Sequence, residues 1–171
     1  MVEPIGDEQQ RLVEEKTEHF ICLAEHVYER SFDRVSVLFD LRGRTAGMFK
    51  MVGRDRCIRY NPWIFSLHFE ENLRDTVPHE VAHYIAHSLY SHRRVKPHGV
   101  EWQAVMFDFD ADPSVTHNLD ITRVPQRSQA RHPYFCGCRE HLVSTTRHNR
   151  VVGKKATYRC QSCHRELVYS G

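Results

Sequence analysis

The chain has 171 residues, 40% of them apolar and 27% charged, with a net charge of +2. That length accommodates one domain with a packed core and at most a small appendage. No long apolar run is present, which excludes a membrane-spanning helix, and the start Met-Val-Glu-Pro lacks the features of a secretory signal, so a cytoplasmic location is expected.

Residues 7–30 read as an amphipathic helix. Val13, Phe20, Leu23, Ala24, Val27 and Tyr28 fall on one side, opposite Glu, Lys and Arg. Val35–Phe39, Met48–Val52 and Cys57–Tyr60 read as strands, with Gly43 and Gly47 as punctuation between the first two. Asn61-Pro62 opens a short helical piece carrying Trp63, Ile64 and Phe65. Cys22 and Cys57 have no partners in sequence and are read as buried thiols.

The next segment, Pro78-His79-Glu80-Val81-Ala82-His83, contains His-Glu-x-x-His. On a helix, His79 and His83 lie about 6 Å apart along the axis on one face. Both imidazoles then reach one zinc ion, with Glu80 beside them as a general base. Val77, Val81, Ile85 and Leu89 recur every four residues on the opposite side, which gives the helix a core face. Asp75 or Thr76 is a candidate cap, with Pro78 in the first turn. If helix begins earlier, Pro78 must distort it. Tyr84 is read as a packing residue.

A catalytic zinc takes three protein ligands and keeps one position open. His87 is a poor third ligand, because it lies about 12 Å along the axis from His79. Ser91–Pro97 reads as a loop, and a second helix is expected from near His98, with Trp102, Val105, Met106 and Phe109 on its core face. An antiparallel return brings either His98 or Glu101 back toward the pair. After Phe109, Asp110-Ala111-Asp112-Pro113 ends the helix, and residues 123–132 read as a basic linker.

Two cysteine clusters follow, Cys136-Gly137-Cys138 and Cys160-Gln161-Ser162-Cys163. Their separation suits the two knuckles of a zinc ribbon. Cys138, Cys160 and Cys163 are expected ligands, with Cys136 or His141 as the fourth; four thiolates suit a structural zinc, which favours Cys136. A reducing compartment disfavours disulfides. From Arg123 onward ten Lys or Arg face only Glu140 and Glu166, a net +8 that leaves −6 for the remainder. Such asymmetry points to phosphate contact through Arg131, Arg147, Arg150, Lys154, Lys155 and Arg159. Tyr134, Phe135, Tyr158 and Tyr169 lie among these charges, available to stack on bases or to form a miniature core.

The pattern His79-Glu80-x-x-His83, then His98-Gly99-x-x-Trp102, then a cysteine-pair module resembles the SprT family, which also includes the protease Spartan. Arg42-Gly43…Ala46-Gly47, Arg147-His148-Asn149-Arg150 and Tyr158-Arg159-Cys160 add to the likeness, which covers about residues 35–170. The resemblance implies an α+β fold: a zincin-like, minigluzincin-type domain with a small antiparallel sheet over residues 1–122, and a zinc ribbon over 133–171. It selects His98 over Glu101 as third ligand and makes Glu80 catalytic. The expected protein is a monomeric zinc metallopeptidase with one catalytic and one structural zinc. Its expected substrates are proteins attached to DNA, single-stranded or damaged. The alternative is a nucleic-acid-binding regulatory zinc protein with little or no peptidase activity.

Overall fold

Helix α1 of the computed structural model spans Asp7–Val27. The structure describes residues 2–53, 55–91, 95–114, 119–125 and 130–171. The buried stripe of α1 is Val13, Thr17, Phe20, Ile21 and Ala24, a 3.6-residue period. Val27, expected on that face, is instead 40% exposed. Thr17 takes a core position because its hydroxyl is satisfied twice, by Val13 O at 2.8 Å and the Tyr60 hydroxyl at 3.0 Å. Cys22, one position beyond Ile21, turns outward and is exposed, contrary to the buried thiol expected; Cys57 is half-buried.

The chain then reverses through Glu29, which has a positive φ of 48°. Glu25 fixes this reversal. Its carboxylate accepts from the Phe32 backbone N–H at 2.9 Å and from both terminal nitrogens of Arg34, at 2.8 and 3.0 Å.

Strands β1 (Ser36–Leu38), β2 (Gly47–Val52) and β3 (Asp55–Tyr60) form a sheet in the order β1-β3-β2. The expected antiparallel sheet is mixed, because β1 pairs parallel with β3 while β2 pairs antiparallel. The cause is the connection between β1 and β2, which passes over the end of β3. Buried Asn61 holds it there, donating to Gly43 O and Thr45 O at 3.1 Å each. The same side chain caps α2 (Pro62–Leu67), accepting from the Trp63 and Ile64 N–H groups.

The chain is helical from α3 (Phe69–Glu71) through a π-helical segment, Asn72–Thr76, into α4 (Val77–Leu89). Neither Asp75 nor Thr76 caps a new helix. Pro78 is accommodated by distortion instead. It has no N–H to donate, and its ring crowds the carbonyl four residues back; the wider i→i−5 turn relieves both. Val77 N–H accordingly bonds to Asn72 O. Asn72 and Thr76 brace the bulge through a 2.7 Å side-chain bond.

Helix α5 (Val100–Asp108) packs beside α4, and α4 packs in turn against α1 and β2. The core of this unit gathers Phe20, Ile58, Tyr60, Phe65, Val81, Ile85, Trp102 and Met106. Tyr84 is fully buried between Phe32 and Phe49, a packing role.

The chain divides into two units, Met1–Gln126 and Arg127–Gly171. In the second, β4 (Arg131–Phe135) lies between β5 (Glu140–Ser144) and β6 (Val168–Tyr169), all antiparallel, with α6 (Thr145–Val152) following β5. Within residues 123–132, expected as a linker, Val124 is buried and Arg131 and His132 open β4. Residues 126–129, like His92, Arg93 and Arg94 of the expected 91–97 loop, lie outside the described residues. No helix among the described residues is long and apolar enough to cross a membrane.

The Arg34 guanidinium and then the Phe32 N–H hold the Glu25 carboxyl at about 2, below its usual 4.5. A depressed folded-state pKa stabilises above the unfolded value and is lost as pH falls through the folded one. Glu25→Gln is therefore expected to melt below wild type at pH 7, with the gap closing between pH 4.5 and 2. Thermal melts across that range check it; a gap constant with pH would contradict it.

Candidate active site

Helix α4 presents His79 and His83 on one face, one turn apart. His98 arrives from the turn before α5. It lies outside the helix expected to begin there, with φ of +56°, a left-handed conformation that costs a non-glycine residue on the order of 1–2 kcal/mol. That conformation, followed by Gly99 at the helix start, aims the imidazole back at α4. The three Nε2 atoms stand 3.2 Å (His79–His83), 3.1 Å (His83–His98) and 3.0 Å (His79–His98) apart. Zinc–nitrogen bonds of about 2.0–2.1 Å at tetrahedral angles place nitrogens roughly 3.3 Å apart, so this triangle fits one small cation. Burial, and then His98, push the His83 pKa down to about 4, and burial lowers that of His98. Neutral imidazoles offering lone pairs to a common point are the donor set a zinc-type metal takes. His87 and Glu101 are not members of this group.

Trp102 orders the triad from behind. It is 1% exposed, donates from Nε1 to His79 O at 3.2 Å and places its ring 4.8 Å from those of His79 and His98 and 5.5 Å from that of His83. Helical periodicity marks Trp102 as a core residue and says nothing of its contact with the histidines. Its place in His98-Gly99-x-x-Trp102, one turn after the ligand, was the available signal.

Glu80 follows His79 but points toward β2. It is 7% exposed, and its Oε2 accepts from the Phe49 N–H at 2.7 Å. Burial raises the carboxyl to about 7, while the Phe49 bond acts in the opposite direction. A cation beside it would also pull the value down. Gly47 makes this seat possible. A Cβ there would lie 2.6 Å from Glu80 Cγ and 2.8 Å from Thr76 Cγ2, closer than atoms pack. Gly47 was legible in sequence only as punctuation. A cleft of about 440 Å³ opens over Glu80 and the triad, bounded by Phe49, His87, Val95 and Lys96.

The second unit gathers Cys136, Cys138, Cys160 and Cys163, whose sulfurs all lie within 4.8 Å of one another. The Cys136–Cys138 separation is 3.1 Å and the Cys138–Cys160 separation 3.7 Å, longer than any disulfide. His141 stands outside this set, with Nε2 3.2 Å from the Cys136 sulfur. Turns shape both knuckles: Gly137 has φ of +88° and His164 of +58°. Backbone N–H groups of Cys163 and Ser162 point at Cys160 and lower its pKa, which favours a thiolate. Four convergent sulfurs with such turns suit a structural metal.

The sequence profile of the SprT-like family matches residues 17–123. This chain belongs to the SprT-like family. It is 40% identical to Protein SprT of Vibrio parahaemolyticus over 152 residues, 88% of each chain. It is 36% identical to Protein SprT of Pasteurella multocida over 159 residues, 92% of each. Protein SprT of Pseudomonas fluorescens is 38% identical over 159 residues, 91% of this chain and 93% of the relative. No solved structure matches it.

The profile match covers the histidine centre and stops short of the cysteine cluster. In that second unit of the SprT-like chain, all six basic residues expected to meet nucleic acid are exposed. Arg147 and Arg150 share a side of α6, with Lys154 just beyond, and the Arg147 guanidinium lies 5.4 Å from the Tyr158 ring centroid. The aromatic residues divide. Tyr134 is fully buried, its hydroxyl 3.1 Å from His148 Nδ1 and its ring against Tyr169, so it belongs to the miniature core and is closed to bases. Phe135 is 45% exposed and Tyr169 42%.

Gly47→Ala is expected to destabilise the chain by roughly 1–3 kcal/mol, through overpacking against Glu80 and Thr76, with no loss of any metal that the histidine triad binds. Urea unfolding with metal analysis checks this; wild-type stability would show that Glu80 yields freely.

Proposed function

We propose that this SprT-like protein is a zinc metallopeptidase of zincin-like architecture. His79, His83 and His98 would hold the catalytic zinc, and the four cysteines a structural one. The observation that carries the proposal is the seat of Glu80: a buried carboxylate on the floor of a cleft, adjacent in sequence to one ligand and fixed by the Phe49 N–H. Zinc at the triad supplies Lewis acidity, acidifying water and polarising a carbonyl. Glu80 takes the proton from the attacking water and returns it to the leaving amine. The Phe49 N–H holds one carboxylate oxygen and leaves the other for that transfer. Trp102 and the left-handed turn at His98 keep the ligands in place while the proton moves. Strand β2 is an edge strand that also lines the cleft, so an extended peptide can lie along it through main-chain hydrogen bonds.

Glu80→Gln is expected to retain both zinc ions and lose hydrolysis by about 10²–10⁴-fold. Undiminished cleavage by that metal-loaded variant would remove Glu80 from the reaction. Elemental analysis of wild type is expected to give two zinc ions per chain, falling to one in His98→Ala and to one in Cys160→Ser. A wild-type metal content in either variant would contradict the corresponding site.

The exposed basic groups of the second unit support DNA as the second partner, with proteins bound or crosslinked to DNA as substrates. Phe135 and Tyr169 are available to stack on unpaired bases. Affinity for single-stranded DNA is expected to fall steeply with salt, with a shallower slope in an Arg147→Ala, Arg150→Ala, Lys154→Ala variant. Salt-independent binding would argue against a phosphate-contacting face. The same face favours one second reading, a DNA-binding protein whose histidine site is inactive. That reading requires DNA binding without cleavage by the zinc-loaded chain.

A further inference from the structure

One side of the cleft is not used by the mechanism. His87 stands one turn beyond His83 and borders the cleft, yet its Nδ1 is buried and has no hydrogen-bond partner among the described residues. A buried imidazole nitrogen left unpaired is costly unless a ligand completes it. Its ring centroid lies 5.9 Å from that of Phe49, and Ala86 and Val95 complete an apolar wall beside it. Lys96, which is exposed, lines the same cleft. Arg56 on β3, which pairs with Asp33 at 3.7 Å, has a buried Nε without a partner among the described residues, and its positive charge acts on His87. Burial, and then Arg56, hold the His87 pKa below its usual value, so it meets a ligand as a neutral hydrogen-bonding group. Among the described residues lining the cleft, the only carboxylate is Glu80, which the Phe49 N–H engages.

We infer that His87 and Lys96, with Phe49, Ala86 and Val95 as walls, form a side-chain subsite that selects an acidic residue, glutamate best, next to the scissile bond. The inference rests on the peptidase reading and names the substrate residue that the site prefers. A glutamate has an apolar stem for the walls and a carboxylate for the polar end. There it accepts a hydrogen bond from His87 and meets the Lys96 charge. A lysine side chain brings its ammonium into the field of Lys96 and Arg56, with no free carboxylate to receive it. Leucine fills the walls but leaves His87 unpaired.

The test uses the zinc-loaded full chain and short peptidyl hydroxamates, which chelate zinc whether or not the protein cleaves peptides. Two series place a Glu, Gln, Leu or Lys side chain on either side of the chelating group, and calorimetry gives the affinities. In one series the Glu member is expected to bind at least about tenfold tighter than the Lys member. Lys96→Glu should reverse that order. His87→Leu should diminish the preference, and His87→Gln, which keeps a hydrogen-bonding group, should restore most of it. Equal affinities for Glu and Lys members in both series would overturn the inference, as would a preference unchanged in both Lys96→Glu and His87→Leu. A Glu preference with no cleavage of matching peptides would leave the subsite standing and overturn the peptidase reading. Failure of every hydroxamate to bind would overturn both.

Discussion

The site depends on how closely α4 approaches β2. Glu80 can be buried only because an edge-strand N–H, that of Phe49, satisfies one of its oxygens at 2.7 Å. That bond forms only because residue 47 has no side chain. An unsatisfied buried carboxylate is among the most costly groups a fold can contain. Sheet position, helix orientation and the glycine must therefore all be correct together. The strand order suits this arrangement. Strand β2 must stay on the edge to face α4, so β1 pairs on the other side of β3, and Asn61 secures the connection between them.

The histidine centre places two local strains where the ligands are delivered. A π-helical segment lies directly before α4, where Pro78 would otherwise break the hydrogen-bond ladder. A left-handed residue, His98, lies directly before α5. Each is held by surrounding packing: Asn72 and Thr76 brace the first, and Trp102 backs the ring of the second. Strain of this kind persists only where the rest of the structure over-determines it. Trp102 serves both ends, because it fills the core between α4 and α5 and also contacts all three imidazoles.

The second unit solves a different problem. A segment this short has little apolar surface to bury: besides the buried cysteines its core is Tyr134 and Val143, with His148 and Tyr169 against the tyrosine. Four convergent sulfurs could hold a metal ion, the kind of staple such a core needs. The basic side chains Arg131, Arg147, Arg150, Lys154, Lys155 and Arg159 remain exposed to solvent around it.

The sequence by itself determined which residues are candidates to carry the chemistry. His79, Glu80 and His83 were legible because helical periodicity converts a four-residue spacing into one face. The cysteine ligands were legible because knuckle spacing is local. The apolar stripe of α1 was legible in type but not in detail, since Thr17 took a core position that only a distant hydroxyl, Tyr60, made acceptable. The resemblance selected His98 over Glu101, and the preference for four thiolates selected Cys136 over His141; tertiary structure added the left-handed turn that delivers His98 and the turns that gather the sulfurs. The burial of Glu80, the backing of His79 by Trp102 and the need for Gly47 all arise from contacts between residues 23 to 33 positions apart. Such contacts are set by packing, and packing has no period that a sequence displays.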